Sequence, residues 1–258
     1  MRGKRCWSIS SGVVSLLRVV SVVGFHGAGK TRVAEAIIRE LVKRGYKVGA
    51  IKHVRDEDFS IDRPGKDTWR HALAGAEVIA SLAPNEFATI EKRHVELEDA
   101  IARFEGLDFL IVEGFREFNE IARIIVARDE VEIKELAGDL SIACVGAPCP
   151  HLPSFKIDEI VELVDLVERK AFPLLPGVNC KQCGFESCGD FARAVLEGDA
   201  PWNGCVALKE RLKLVVDRKK IPLKPFVQDF IAGAIEGMLS SLKGAKGREI
   251  ELKVRKID

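Results

Sequence analysis

Val19-Val20-Ser21-Val22-Val23-Gly24-Phe25-His26-Gly27-Ala28-Gly29-Lys30-Thr31 decides how this chain folds. An apolar run of strand length ends in Gly-x-x-x-x-Gly-Lys-Thr. An amphipathic stretch from Lys30 to Arg44 follows and stops at Gly45. Strand, glycine loop and helix in this order form a phosphate-binding loop. Its glycines let the backbone curl with N–H groups pointing inward. The start of the helix adds its positive end. Lys30 is placed to reach the β and γ phosphate oxygens and Thr31 to ligate Mg²⁺. Gly24, His26, Gly27, Ala28, Gly29, Lys30 and Thr31 are therefore the expected nucleotide contacts.

Outward from the loop the pattern repeats. Strands are expected at Lys47–His53, Val78–Leu82, Phe109–Glu113, Ile121–Ala127 and Leu140–Gly146. Helices are expected at Asp67–Ala74, Glu96–Phe104 and Ile157–Lys170. Near-continuous apolar strands separated by helices indicate a mostly parallel sheet covered on both faces. The fold class is thus α/β, a three-layer P-loop NTPase, with a small C-terminal α+β domain. In Leu107-Asp108-Phe109-Leu110-Ile111-Val112-Glu113-Gly114, Glu113 closes the strand at the edge where ligands bind. It is the expected magnesium or water-positioning carboxylate, and with Lys30 the candidate catalytic pair.

The chain has 258 residues and a net charge of +1, which gives no electrostatic reason to expect nucleic acid or a membrane as partner. No apolar run is long enough for a transmembrane helix. The basic and apolar start, residues 1–17, resembles a weak secretory signal. It runs into the strand that holds the loop, so it reads as a poorly ordered extension. Phe172-Pro173-Leu174-Leu175-Pro176-Gly177 breaks the pattern and marks a boundary. The expected organisation is an extension (1–17), a nucleotide domain (18–171), a cysteine domain (172–208) and a tail (209–258). The tail reads as a hairpin of Leu212–Val216 with Ile221–Leu223, a helix over Phe226–Leu242, and an exposed-face strand at Ile250–Val254.

Four of the seven cysteines follow the pattern Cys180-x₂-Cys183-x₄-Cys188-x₁₆-Cys205. An odd total with one tight cluster argues for a metal site in a reducing compartment, the cytoplasm, over a disulfide framework. Zinc sites pair two short knuckles, whereas three close cysteines and one remote one suit a cuboidal cluster. Zinc stays the alternative on spacing alone. Cys144 lies in an apolar run and reads as core; Cys149 reads as a loop thiol.

Two resemblances sharpen this reading. The loop, then Ala50-Ile51-Lys52-His53, then Asp62-Arg63-Pro64-Gly65-Lys66-Asp67-Thr68, then Val112-Glu113-Gly114-Phe115, resembles the molybdopterin-guanine dinucleotide biosynthesis protein B (MobB) family over about residues 18–170. That resemblance implies a GTP-binding accessory protein with weak hydrolysis, assisting guanylyl transfer onto a molybdenum or tungsten pterin. It implies ligand contacts at Asp62, Lys66 and Asp67. The guanine signature Asn-Lys-x-Asp is missing, so the base rests on the resemblance. Expected partners are a molybdopterin guanylyltransferase or molybdopterin-carrying protein, a molybdo- or tungsto-oxidoreductase, and a second copy in a homodimer. The acidic Asp56-Glu57-Asp58 departs from a histidine-rich stretch of the family. Without the family, Pro64-Gly65 reads as a tight turn, with Asp67 or Thr68 capping the next helix. The segment Leu175–Cys205 is similar to the small four-cysteine [4Fe–4S] domain found in an electron-transport complex and in the corrinoid iron–sulfur protein of acetyl-CoA synthesis. Two other classes stand beside this reading: a nucleotide-switched docking adaptor without turnover, and a small-molecule kinase, for which the arginines after the second strand are too few.

Overall fold

The computed structural model describes residues 16–217, 219–243, 247 and 250–254. Most of the expected 1–17 extension lies outside them. The chain divides into two compact units, one ending at Leu174 and the other beginning at Leu175.

The first unit is built on a parallel sheet. β1 (Arg18–Val23) is buried at every residue after Arg18, as a strand covered on both faces must be. α1 (Lys30–Lys43) buries Val33, Ala34, Ile37 and Leu41 at the helical period and ends against Gly45 (φ 91°). β2 (Val48–Lys52) is a half-exposed edge strand. α2 (Asp67–Leu73) and a hairpin of β3 (Val78–Ala83) and β4 (Glu86–Glu91) follow. α3 (Leu97–Ala102), β5 (Phe109–Glu113), β6 (Ala122–Ala127), α4 (Glu130–Leu136), β7 (Ser141–Gly146), the short β8 (Ser154–Phe155) and α5 (Ile160–Lys170) complete the unit.

The sheet order is β2-β5-β1-β6-β7-β8, all parallel. The strand order reverses beside β1, and ligands of open α/β sheets bind at such a switch point. Register places Glu113 opposite both Val22 and Lys52. Three strand ends therefore meet at the loop. α1 and α5 are joined by Arg44, whose guanidinium donates to Glu40 (3.0 Å), Asp165 (2.6 Å) and Glu168 (2.8 Å).

Several expectations change. Val78–Ala83 is a strand, but it pairs with Glu86–Glu91 in a separate antiparallel hairpin about Pro84-Asn85, outside the parallel sheet. The helix expected from Ile157 starts at Ile160, because Lys156 and Glu159 close a turn first. Ile250–Val254 is not a strand: its apolar side chains are exposed and no described strand pairs with it.

The second unit carries α6 (Cys188–Glu197), a 3₁₀ turn at Val206–Leu208, β9 (Leu214–Val216), β10 (Lys219–Ile221) and α7 (Pro225–Leu239). β9 and β10 pair antiparallel with Val216 opposite Lys219, so the two strands lie closer in sequence than expected. Ser187 caps α6 by accepting from Asp190 N–H (3.1 Å), and Gly198 (φ 92°) ends it. Gln228 is buried on α7. It accepts from Arg211 N–H (3.0 Å) and donates to the Leu223 carbonyl (3.0 Å), tying the chain before and after the hairpin to the helix. Among the described residues no helix is long and apolar enough to cross a membrane.

Candidate functional site

The loop after β1 adopts the conformation its glycines allow. Gly27 (φ 75°) and Gly29 (φ 95°) are left-handed, and Gly29 is the residue before α1. Gly24, Phe25, His26, Gly27, Gly29, Lys30 and Thr31 line an open cleft of about 790 Å³. Ala28 is outside that lining, and its N–H donates to the Phe25 carbonyl (3.3 Å). Lys30 Nζ donates to the same carbonyl at 2.7 Å. Burial lowers the Lys30 pKa from its ordinary value; Glu113 opposes this, while Lys52 and Arg55 add to it.

Three polar groups converge below the loop. Thr31 Oγ1 donates to Glu113 Oε1 at 2.7 Å. Lys52 Nζ donates to Glu113 Oε1 (2.9 Å) and to Thr31 Oγ1 (3.2 Å). The structure thus brings Lys30, Thr31 and Glu113 into one cleft and adds Lys52, which the sequence does not single out as a site residue. The available signal is its position at the end of an edge strand beside Glu113.

The far wall is aromatic and basic. His53 stacks on Phe115, with centroids 4.2 Å apart and planes 19° apart. Gly114 (φ 97°) makes room, since an added Cβ would lie 2.7 Å from His53 Cβ. The Arg116 guanidinium lies 5.7 Å from the Phe25 ring centroid. Arg123, buried on β6, fixes this wall by donating to the Arg116 and Phe118 carbonyls (2.9 Å each), Asn119 Oδ1 (2.5 Å) and the Leu136 carbonyl (3.0 Å). Burial lowers its pKa, partly offset by Glu117.

Asp62, Lys66 and Asp67 are not among the residues lining the cleft. Asp62 accepts from Arg63 N–H (2.9 Å) and Thr68 Oγ1 (3.0 Å), which holds its own loop together. Pro64-Gly65 forms the expected turn, closed by Lys66 N–H to the Arg63 carbonyl (3.3 Å). The expected side-chain cap is absent. Lys66 precedes α2 without a capping bond, Thr68 is used by Asp62, and the exposed Asp67 faces Arg70 at 3.8 Å.

In the second unit Cys180, Cys183, Cys188 and Cys205 line one pocket with Phe185 and Phe191. Left-handed residues at Gly177, Asn179, Lys181 and Gly184 curl the loop around it. Asn179 Oδ1 accepts from Cys188 N–H (2.8 Å). Burial raises the Cys205 pKa; N–H groups of Ala207 and Leu208 pull it down, and Cys188 and Cys183 raise it again. No group of three His, Cys, Asp or Glu side chains among the described residues converges as a single-ion site. Cys144 is fully buried in the first unit, and burial pushes its thiol up to about 12, in keeping with a core role.

Residues 19–146 match the family model of molybdopterin guanine dinucleotide synthesis protein B (MobB). Residues 175–207 match a second model, described as "Putative Fe-S cluster". Over 249 residues the chain is 30% identical to a Methanocaldococcus jannaschii protein described as "Putative molybdopterin-guanine dinucleotide biosynthesis adapter protein", covering 93% of this chain and 100% of that one. The crystal structure of Bacillus subtilis MobB superposes with a TM-score of 0.51 at 28% identity, covering 58% of this chain and 96% of that one. A component of an ion-translocating oxidoreductase complex from Rhodobacter capsulatus is 47% identical over 45 residues, 17% of this chain and 24% of that protein. The chain therefore belongs to the MobB family, with an Fe–S-type segment following its P-loop domain.

Proposed function

We propose that this protein is a GTP-binding adapter in molybdopterin guanine dinucleotide synthesis, carrying a [4Fe–4S] cluster in its C-terminal unit. One observation supports the nucleotide reading most. The Thr31 hydroxyl and the Glu113 carboxylate meet at 2.7 Å beneath a glycine loop that also presents Lys30. Hydroxyl and carboxylate oxygens are the hard donors Mg²⁺ takes, so the residues fit that ion. Bound there, Mg²⁺ would offset charge on the β and γ phosphates. The loop N–H groups would hold the phosphates, Lys30 would neutralise them, and Glu113 would orient Thr31. GTP, in preference to ATP, follows from the family.

Weak hydrolysis at most is expected, on the family resemblance. On the resemblance, Asp62, Lys66 and Asp67 are assigned to ligand contact. Cys180, Cys183, Cys188 and Cys205 are assigned to the cluster. They share one pocket, and four thiolates are the ligand set a [4Fe–4S] cluster takes. The cluster would serve redox exchange or docking. Partners would be a guanylyltransferase or molybdopterin-carrying protein, and a molybdo- or tungsto-oxidoreductase, in the cytoplasm, with the chain as a homodimer. The four-part organisation, 1–17, 18–171, 172–208 and 209–258, is part of this proposal.

The second reading is an adaptor whose nucleotide switches partner affinity without turnover; the Lys52–Glu113 ion pair favours it by holding a catalytic-type carboxylate in a salt bridge. Anaerobically purified protein should show iron near four per chain and bind GTP more tightly than ATP in the same sample. K30A should lose about ten- to a hundredfold in GTP affinity, the scale of a charge-assisted contact. Stoichiometric zinc, or unchanged GTP affinity in K30A, overturns the corresponding half of the proposal.

A further inference from the structure

The contacts of Lys52 concern the cation site itself. Its Nζ donates to Glu113 Oε1 and Thr31 Oγ1, the two oxygens assigned to Mg²⁺. Those oxygens are themselves hydrogen-bonded at 2.7 Å, so one small cation can face both. A divalent ion bound to the same pair would stand within a few ångströms of the ammonium. The two charges repel in a cleft that also holds Lys30 and Arg55. An oxygen lone pair used by the ammonium is also lost to the metal.

We infer that Lys52 is a built-in competitor for the divalent-cation position: its ammonium and the metal exclude one another at Thr31 and Glu113. The inference rests on the magnesium–nucleotide reading of the cleft. Two consequences follow. Free metal binds poorly to the protein alone, and the metal enters as a metal–nucleotide complex whose phosphates offset the added charge. When no metal is present, Lys52 supplies positive charge beside the phosphates, so nucleotide binding survives without metal. Lys52 is half-exposed at the end of β2, so displacing it needs only side-chain rotation. This makes Lys52 a residue that sets metal dependence, with no part in bond breaking.

The test uses the full chain, with its folding checked by circular dichroism, and Mn²⁺ followed by electron paramagnetic resonance as the probe. K52M keeps the length of the side chain and removes its charge. It should bind Mn²⁺ without nucleotide at least about tenfold more tightly than wild type, the scale of relieving the repulsion between an ammonium and a divalent ion a few ångströms apart. K52R should still exclude Mn²⁺. K52M/E113Q should lose the gain, which assigns it to this site and not to the cysteines. A fluorescent GTP analogue, titrated with EDTA or Mg²⁺, forms the second arm: K52M should depend on metal about tenfold more than wild type. Equal Mn²⁺ affinities for wild type and K52M overturn the inference. Failure of the analogue to bind any variant overturns the nucleotide reading instead, and the Mn²⁺ arm still decides the role of Lys52.

Discussion

An added Cβ at Gly24 would lie 2.5 Å from the Val126 carbonyl oxygen and 3.2 Å from Lys30 Cγ. The carbonyl belongs to β6 and cannot move aside as a flexible side chain could. G24A should therefore cost about 1–3 kcal/mol, the range for overpacking a tight site, and should displace Lys30. Thermal unfolding and GTP titration of the same preparation check this; a variant as stable as wild type sinks it. Gly27 and Gly29 have different reasons, since nothing crowds them and their positive φ alone selects glycine. The motif was legible as a motif, but these separate causes were not. Val126 is distant in sequence and comes beside Gly24 only through the β1–β6 pairing. The same holds for Lys52, Phe115 and Arg116. Lys52 and Phe115 stand in the segments that carry the family resemblance, but their place in the cleft, like that of Arg116, follows only from the sheet order that puts strand ends together.

At the scale of elements, the long apolar strands β1, β5, β6 and β7 were legible because burial on both faces demands uninterrupted runs. Other elements were not. β4, as long as β1, buries none of its residues and so carries no apolar run, α4 is mostly charged, β8 has only two residues, and α6 starts inside the cysteine pattern. The β3–β4 hairpin is tethered to α3 by Glu91, which accepts from Arg103 (2.5 and 3.1 Å) and Arg93 (2.6 Å). Arg103 foremost, then Arg93, hold the Glu91 pKa down at about 2. A carboxylate depressed in the folded state stabilises it above its unfolded pKa, about 4.3. That contribution is lost as pH falls from there toward about 2. R103Q should thus melt at a lower temperature than wild type at pH 7. Its further decline through that acid window should be shallower. Parallel curves for the two proteins would remove Glu91 as a source of acid sensitivity.

At the scale of the molecule, the chain divides between Leu174 and Leu175. The two units rest on different resources. The first has a sheet whose central strands are buried, with helices packed over it. In the second, the buried apolar residues are few, centred on Phe191, Val195, Leu196 and Cys205, and one of these is an assigned cluster ligand. Where a core is small, metal binding supplies much of the folding free energy. C183A, or the wild-type chain stripped of iron under chelator, should accordingly loosen the second unit. Amide exchange in Cys188–Glu197 should speed up at least about tenfold, because local opening there becomes easier. Exchange in Phe109–Glu113 should stay as slow as before. Adding GTP at about a hundred times its Kd should stabilise the nucleotide-binding unit by about 2.7 kcal/mol, with or without iron. Unchanged exchange in Cys188–Glu197 after iron removal would show that the loop and α6 stand on their own packing, and the cysteines would lose their structural part.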